Sequence, residues 1–280
     1  MSGADPHGSE LADNRKLWDT WTAIHTSSEF YDVQRFRDDP SDVRIEPWER
    51  EEVGDVDGKT LLHAQCHFGL DSLSWARLGA RVTGVDFSEP AIAFATELAA
   101  ETDLSDVTRF LVSNVYDLPG PLDGETFDVV YTSRGVLGWL SDIPRCAEIV
   151  AGLVRSGGVF YVLEGHPVFW SLADQQERPD LVKLDYDYWG GETLSFPVEG
   201  SYADPDATVD AEVEHGWNHS LGEIVTSLAQ NGLRVEFLHE KDRVYWPVDW
   251  LVQRDDGHYG FPPDQPGTLP LSYSLKARKD

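Results

Sequence analysis

The chain has 280 residues, 41% of them apolar and 26% charged. That composition suits a folded core and excludes a disordered tail, a collagen-like repeat and a disulfide-stapled miniprotein. The 50 acidic residues outweigh 22 basic ones and leave a net charge of −28 at pH 7. Such a field repels phosphate backbones and anionic bilayers, so neither nucleic acid nor a membrane is expected as a partner.

A high-salt cytoplasm would screen this self-repulsion, and an acidic protein of an ordinary GC-rich organism would carry the same charge. Two cysteines, Cys66 and Cys146, are too few for a disulfide framework or a zinc cluster and read as buried free thiols. The opening residues carry neither a basic n-region nor an apolar h-region. No apolar run reaches the ~18 residues that a transmembrane helix needs. A soluble cytoplasmic protein is expected.

Residues 1–13 are small, polar and acidic, and are expected to fray. Leu17, Trp18, Trp21 and Ile24 then recur at helical spacing. From Thr60 the chain alternates strand and helix signals. Strands are expected at Thr60–Ala64, Arg81–Val85, Val107–Val112, Phe127–Thr132 and Val159–Leu163. Helices are expected at Leu70–Leu78, at Ala91–Ala100 with Ser88 as N-cap, and from Asp142 to about Val154. The turn Ser156-Gly157-Gly158 leads into the fifth strand. Residues 165–216 break this rhythm with aromatic and acidic residues and read as an insertion. A helix at Leu221–Asn231 and strands at Leu233–Leu238 and Leu269–Ala277 follow. Pro270 demotes the beginning of the last strand to an edge position.

This alternation implies an α/β fold: a Rossmann-like, doubly wound, seven-stranded, mostly parallel sheet with an antiparallel edge strand and an aromatic insertion after strand five. Four segments are expected: an N-terminal helical cap or lid (1–58), a ligand-binding core (59–164), the insertion or substrate cap (165–217), and a C-terminal helix and strands completing the sheet (218–280).

In such a sheet a ligand sits beyond the carboxyl ends of the strands, beside strand one. The first loop, His63-Ala64-Gln65-Cys66-His67-Phe68-Gly69, matches neither GxGxxG nor GxxxxGK[ST], so a pyrophosphate cradle and a P-loop are not supported. Asp86, at the end of strand two, can accept two hydrogen bonds from a ribose diol or serve as an acid in the first turn of the next helix. No His/Asp/Glu group has ligand spacing, so no metal is expected.

Residues 60–164 resemble a class I S-adenosylmethionine-dependent methyltransferase. The matching pieces are the first loop, Val85-Asp86-Phe87-Ser88, Ser113-Asn114-Val115, Phe127-Asp128-Val129-Val130 and Arg155-Ser156-Gly157-Gly158. The first loop departs from the family pattern (D/E)xGxGxG: His63 replaces the acid, and Gln65 and His67 replace two glycines. It resembles instead a subgroup whose loop reads like LQCHFGLD.

The resemblance implies S-adenosylmethionine as cofactor and S-adenosylhomocysteine as product. The backbone around His63, Ala64, Gln65 and Gly69 would touch the methionine moiety. Asp86 would hold the ribose, with Phe87 and Ser88 beside the nucleoside. Asn114, its carbonyl oxygen accepting from the exocyclic amine, and Val115 would read the adenine edge. Ser133 and Arg134 would lie beneath the sulfonium. Arg134 would hold an acidic substrate or the cofactor carboxylate, or form a surface salt bridge.

Trp18, Trp21 and Tyr31 would cover the methionine end or pack on the sheet. The expected catalytic candidates are Glu164 and His166, with His215 and His219 as weaker ones. Trp170, Tyr188 and Trp189 in the insertion would wall a pocket for a small-molecule methyl acceptor. The insertion would otherwise shield an edge strand or form a homodimer interface. The expected activity is in-line methyl transfer. The alternative is a non-methylating protein of the same fold that cyclises or transfers an alkyl group, or a regulatory binding module.

Overall fold

The computed structural model describes residues 7–172, 184–265 and 267–280. Three helices, α1 (Gly8–Ser27), α2 (Val33–Asp38) and α3 (Pro47–Val53), precede the alternating segment. That segment runs β1 (Thr60–Ala64), α4 (Leu70–Arg77), β2 (Arg81–Asp86), α5 (Glu89–Glu101), β3 (Thr108–Val112), β4 (Phe127–Ser133), α6 (Ile143–Leu153) and β5 (Val154–Gly165). A short helix α7 (Pro167–Ser171) and the hairpin β6 (Leu194–Pro197) and β7 (Val213–Gly216) follow. The chain ends with α8 (Leu221–Gln230), β8 (Leu233–Lys241), the two-residue strands β9 (Val252–Gln253) and β10 (Tyr259–Gly260), and β11 (Ser272–Lys279).

Seven strands form one sheet in the order β3-β2-β1-β4-β5-β11-β8. β1 pairs in parallel with β2 and β4, and β4 with β5. β11 is antiparallel to both of its neighbours, β5 and β8. The antiparallel strand therefore lies one place inside the edge, and β8 is the edge strand. Pro270 is compatible with that interior place because the strand starts only at Ser272, so its missing N–H lies outside the ladder.

Successive residues of a strand face opposite sides of the sheet, and two cores follow from that period of two. Leu62, Val130, Phe160, Val162 and Leu275 pack with α6 and α8 on one side. Leu61, Val129, Tyr131, Tyr161 and Leu163 pack with Trp75 of α4 and Val53 of α3 on the other. Both faces are covered, so these strands read as continuous apolar runs. Helix starts follow their caps. The Ser88 Oγ accepts from the Ala91 N–H at 3.3 Å, Asp142 from Arg145 at 2.9 Å, and Ser220 from Glu223 at 3.1 Å.

Two local expectations are revised. Helix α1 is already formed at Gly8, because its length is packed over the core; residues 1–6 lie outside the described region. The segment Ser156-Gly157-Gly158 is a bulge within β5 rather than a turn before it. The register with β4 shifts there, and Gly157 takes φ +75°. Both free cysteines are buried.

Replacing Asp142 by Ala removes the α6 cap. A loss of about 1 kcal/mol, roughly 2–4 °C in Tm, is expected in thermal unfolding followed by circular dichroism. An unchanged Tm would show that the cap contributes nothing.

Candidate active site

The strand order reverses at β1, between β2 and β4, and a cavity opens there. It encloses about 1050 Å³ of empty space, its open mouth included. The loop from β1 into α4 forms its floor. Gln65, His67 and Gly69 have φ of +57°, +53° and +88°, all left-handed. At Gly69 a Cβ would stand 2.8 Å from the Cβ of Ala95, so only glycine fits. At the other two positions side chains tolerate this conformation, at a cost of roughly 1 kcal/mol or more each. Hydrogen bonds offset that cost. The Gln65 Nε2 donates to the Val136 carbonyl at 3.0 Å, and the His67 N–H donates to the Asp86 Oδ2 at 2.8 Å.

Asp86 is buried at the tip of β2, and its Oδ1 accepts from the Ser88 N–H at 3.0 Å. Burial pushes its carboxyl up to about 6, against the pull of those backbone donors. Asp86, Phe87, Asn114 and Val115 line one end of the cavity. Ser88 is not in the wall; it is the buried cap of α5. The Asn114 Oδ1 accepts from the Tyr116 N–H at 3.0 Å, so its carbonyl already serves the backbone.

At the other end stand His63, Gln65, Gly69, Asp71, Ser133 and Arg134. Ala64 lies behind this wall, buried in the sheet core. The Arg134 guanidinium pairs with Asp71 and, at 3.3 Å, with the fully buried Glu49. Tyr131 donates a short hydrogen bond to Glu49. Burial pushes Glu49 up to about 7 although Arg134 pulls it down. Arg134 is thus committed to a buried network rather than to a surface salt bridge. The His63 Nδ1 lies 2.8 Å from the Ser72 Oγ, and burial lowers its imidazole to about 4.

Helix α1 and the β6–β7 hairpin close the top together. Asn14 pairs reciprocally with the His215 backbone at 2.8 Å, and the Trp21 Nε1 donates to the Gly200 carbonyl at 3.0 Å. Trp18, Tyr31, Trp139 and Tyr202 line the cavity, and the Tyr31 and Tyr202 hydroxyls are 2.5 Å apart. Trp21 instead packs with Leu17 and Ala211.

The expected catalytic and acceptor residues are placed differently. Glu164 is buried behind the β4–α6 loop, where it accepts from the N–H groups of Val136, Leu137 and Gly165 at 2.6–2.8 Å. Its role here is to hold that loop. His166 caps α7 through its Nδ1 and meets Glu240 at 3.0 Å. Neither lines the cavity.

Trp170 stacks on Trp246 with ring centres 5.7 Å apart, the Tyr188 hydroxyl meets the Leu221 N–H, and Trp189 is 75% exposed. Among the described residues of the insertion, only Tyr202 reaches the wall. Ser195 and Asp13 flank the His215 ring, and the His219 Nε2 lies 2.7 Å from the Leu140 carbonyl. His67, Asp71 and Trp139 line the cavity without having been singled out as site residues from the sequence, and Tyr202 is the end of the aromatic insertion expected to wall the pocket. For His67 a signal existed: histidine is among the non-glycine residues enriched in left-handed loops. No three His, Cys, Asp or Glu side chains gather at metal-binding distance among the described residues.

Comparison with known proteins assigns the fold's central part. Residues 62–162 match the family described as a methyltransferase domain. The match runs from β1 to β5 and includes the cavity floor. Ubiquinone biosynthesis O-methyltransferases of Mesorhizobium japonicum and Rhizobium leguminosarum bv. trifolii are 34% and 33% identical over 106 and 108 residues. Each match covers 38% of this chain, and the chain spans only about two fifths of those relatives' length, 41% and 40%.

Among solved structures, a putative S-adenosylmethionine-dependent methyltransferase from Listeria monocytogenes superposes with a TM-score of 0.61. It is 18% identical over 82% of this chain and 94% of its own. A methyltransferase from Mesorhizobium loti gives 0.59 at 21% identity, over 83% and 96%. These superpositions cover more of the chain than the 62–162 match does.

Replacing Glu164 by Ala leaves the buried N–H groups of Val136 and Leu137 without acceptors, at about 1–3 kcal/mol each. Faster amide hydrogen exchange over residues 136–140 is expected, together with a lower Tm. Burial holds the Glu164 carboxyl up at about 7, so the fold keeps a proton that the unfolded chain loses near 4.5. The stability this contributes is present in acid and lost as pH rises from about 4.5 to 7. Glu164→Gln should flatten that slope, and identical pH profiles would refute the assignment.

Proposed function

We propose that the chain is a class I S-adenosylmethionine-dependent methyltransferase acting on a small-molecule acceptor, of the kind whose first loop reads like LQCHFGLD. One observation carries the reading. A buried carboxylate at the tip of β2 lines the cavity at the strand-order reversal, hydrogen-bonded to the very loop that forms its floor. The methyltransferase-domain match over 62–162 and the names of the matched relatives support it.

The residues present fit such a cofactor. Gly69 admits no side chain, so bare main chain faces the ligand there. Asp86 keeps acceptor capacity for a ribose diol beyond its bonds to His67 and Ser88. Phe87 and Val115 offer apolar faces to adenine. Asn114, its oxygen engaged with Tyr116, offers its amide N–H groups to a ring nitrogen. Asp71 suits the methionine ammonium in place of the acid that His63 replaces, and Arg134 suits the carboxylate. When bound, the sulfonium supplies an electrophilic methyl group.

The protein's own part is positioning and exclusion of water. The aromatic lid of Trp18, Tyr31, Trp139 and Tyr202 covers the cavity, and its apolar faces suit a small organic acceptor. Neither nucleic acid nor a membrane is a fitting partner for a surface of net charge −28. No helix among the described residues is long and apolar enough to cross a membrane.

Calorimetry with S-adenosylhomocysteine tests the site. Asp86→Ala should weaken binding more than tenfold, the scale of a lost hydrogen bond to a charged group. In the parent protein affinity should fall as pH drops through about 6, where Asp86 gains its proton. Asp86→Asn should be weak and flat across that range. Equal affinity of all three proteins would remove Asp86 from the site. Mass spectrometry of turned-over S-adenosylmethionine should show S-adenosylhomocysteine; methylthioadenosine in its place would indicate alkyl transfer.

A further inference from the structure

His67 stands in the floor of the cavity, and its ring turns up toward the lid rather than into the sheet. It lies edge-on to Trp18, with ring centres 5.0 Å apart, and to Tyr31 at 5.7 Å. The His67 Nε2 is 3.1 Å from the His25 Nδ1, and the His25 Nε2 is 2.6 Å from the Ser201 Oγ. Both nitrogens of His25 are therefore engaged. Only one nitrogen of His67 is engaged: its Nδ1 makes no hydrogen bond among the described residues, and it is not among the buried polar atoms left without a partner. An oriented imidazole thus presents one open nitrogen at the wall of the cavity.

The groups that face this pair come from four directions. His63 and Asp86 belong to the floor, and Asp86 is engaged with the His67 backbone N–H. Trp18 shares α1 with His25. Tyr31 follows α1, and Ser201 and Tyr202 belong to the insertion. Among the described residues no carboxylate is hydrogen-bonded to either ring. Burial lowers the His25 imidazole to about 3. Burial, with His25 and His63 nearby, lowers His67 well below its ordinary value. Burial thus favours the neutral form of both rings.

We propose that His67 is the catalytic base of the methyl transfer, taking the acceptor's proton on Nδ1 while His25 and Ser201 fix the ring. It follows that the acceptor attacks through an oxygen or nitrogen that carries a proton. This deepens the reading of the site given above and rests on it. One direction of the hydrogen bonds suits the role. With Nδ1 free of hydrogen, the His67 Nε2–H donates to the His25 Nδ1, and the His25 Nε2–H donates to the Ser201 Oγ. That oxygen already accepts from the Ala203 N–H at 3.2 Å. His25 and Ser201 are positioning residues.

The step balances. A lone pair on the acceptor atom forms the bond to the methyl carbon, the carbon–sulfur bond breaks, and its electron pair stays on sulfur as a thioether. The acceptor's proton passes to the His67 Nδ1. The positive charge lost at sulfur reappears on the imidazole, so the closed cavity carries the same net charge before and after. A desolvated pocket penalises a change in net charge heavily, so a base held neutral by burial is the fitting partner for a cationic donor. A carboxylate there would attract the sulfonium and lose its charge on transfer.

Histidine nitrogen NMR on the intact protein tests this without an acceptor. The His67 resonance is assigned by its loss in His67→Asn, a residue that tolerates the left-handed backbone. In the parent protein Nδ1 should be the unprotonated nitrogen. Its titration midpoint should lie at least one pH unit higher with S-adenosylhomocysteine bound than with S-adenosylmethionine, because a nearby positive charge is gone. In His25→Phe the fixed tautomer should give way to a mixture.

A protonated Nδ1 at neutral pH, or equal midpoints in the two complexes, would overturn the assignment. Calorimetry on the same samples separates the two layers. Binding with an unshifted midpoint defeats the base alone. A folded protein that binds neither nucleoside defeats the methyltransferase reading, and the base with it.

Discussion

The hydrogen bond from the His67 N–H to the Asp86 carboxylate organises the site. It joins the loop after β1 to the tip of β2, and through Ser88 it reaches the first turn of α5. The loop it holds includes two left-handed residues that are not glycine. Left-handed backbone at such residues persists only where surroundings over-determine it. Asp86 does so from one side and the Gln65–Val136 bond from the other. Gln65 and His67 give this loop two side chains at left-handed positions. One then ties the floor to the β4–α6 loop, and the other ties it to the lid.

The fold was legible in the sequence because each element obeys a short-range rule. Strands that are buried on both faces read as apolar runs, and Ser88, Asp142 and Ser220 mark helix starts with side chains that bond residues three positions on. Asp86 was legible for the same reason, since a strand end is a local property. What sequence could not supply was long-range partnership. Glu164 looked catalytic because it lies at the end of β5, but the N–H groups of Val136 and Leu137 in the β4–α6 loop and of its neighbour Gly165 reach it. Trp170 looked like a pocket wall because it is aromatic and follows the core, but Trp246 covers it from the C-terminal segment. His25, His67 and Ser201 are far apart along the chain and converge only when α1 and the insertion close over the floor.

The two ends of the cavity differ in electrostatic character. At the β2 end a lone carboxylate is raised by burial and answered only by backbone N–H groups. At the β4 end Arg134, Asp71, Glu49 and Tyr131 form a buried network that balances charge internally. Breaking one member of such a network leaves the others unpaired in a medium that penalises isolated charge. The β4 end is therefore stiff, and a zwitterion entering it exchanges partners with Asp71 and Arg134 instead of creating new charge. The β2 end needs a neutral hydrogen-bond donor, and a sugar diol meets that need.

Lid and floor are coupled by the same chemistry. α1 touches the core through Thr22 and Ser88 at 3.5 Å, Arg15 and Glu89 at 3.1 Å, and the histidine pair. The first two contacts are long or exposed and contribute little. The histidine pair is bonded to Ser201 on the lid side and, through the His67 N–H, to Asp86 on the floor, so with Trp18 packed on the His67 ring it ties the lid to the floor. An imidazole at that junction senses any change of charge below it and any opening above it. Burial lowers the proton affinity of the His67 ring, so a proton taken up inside the closed chamber is held weakly and is readily given up again.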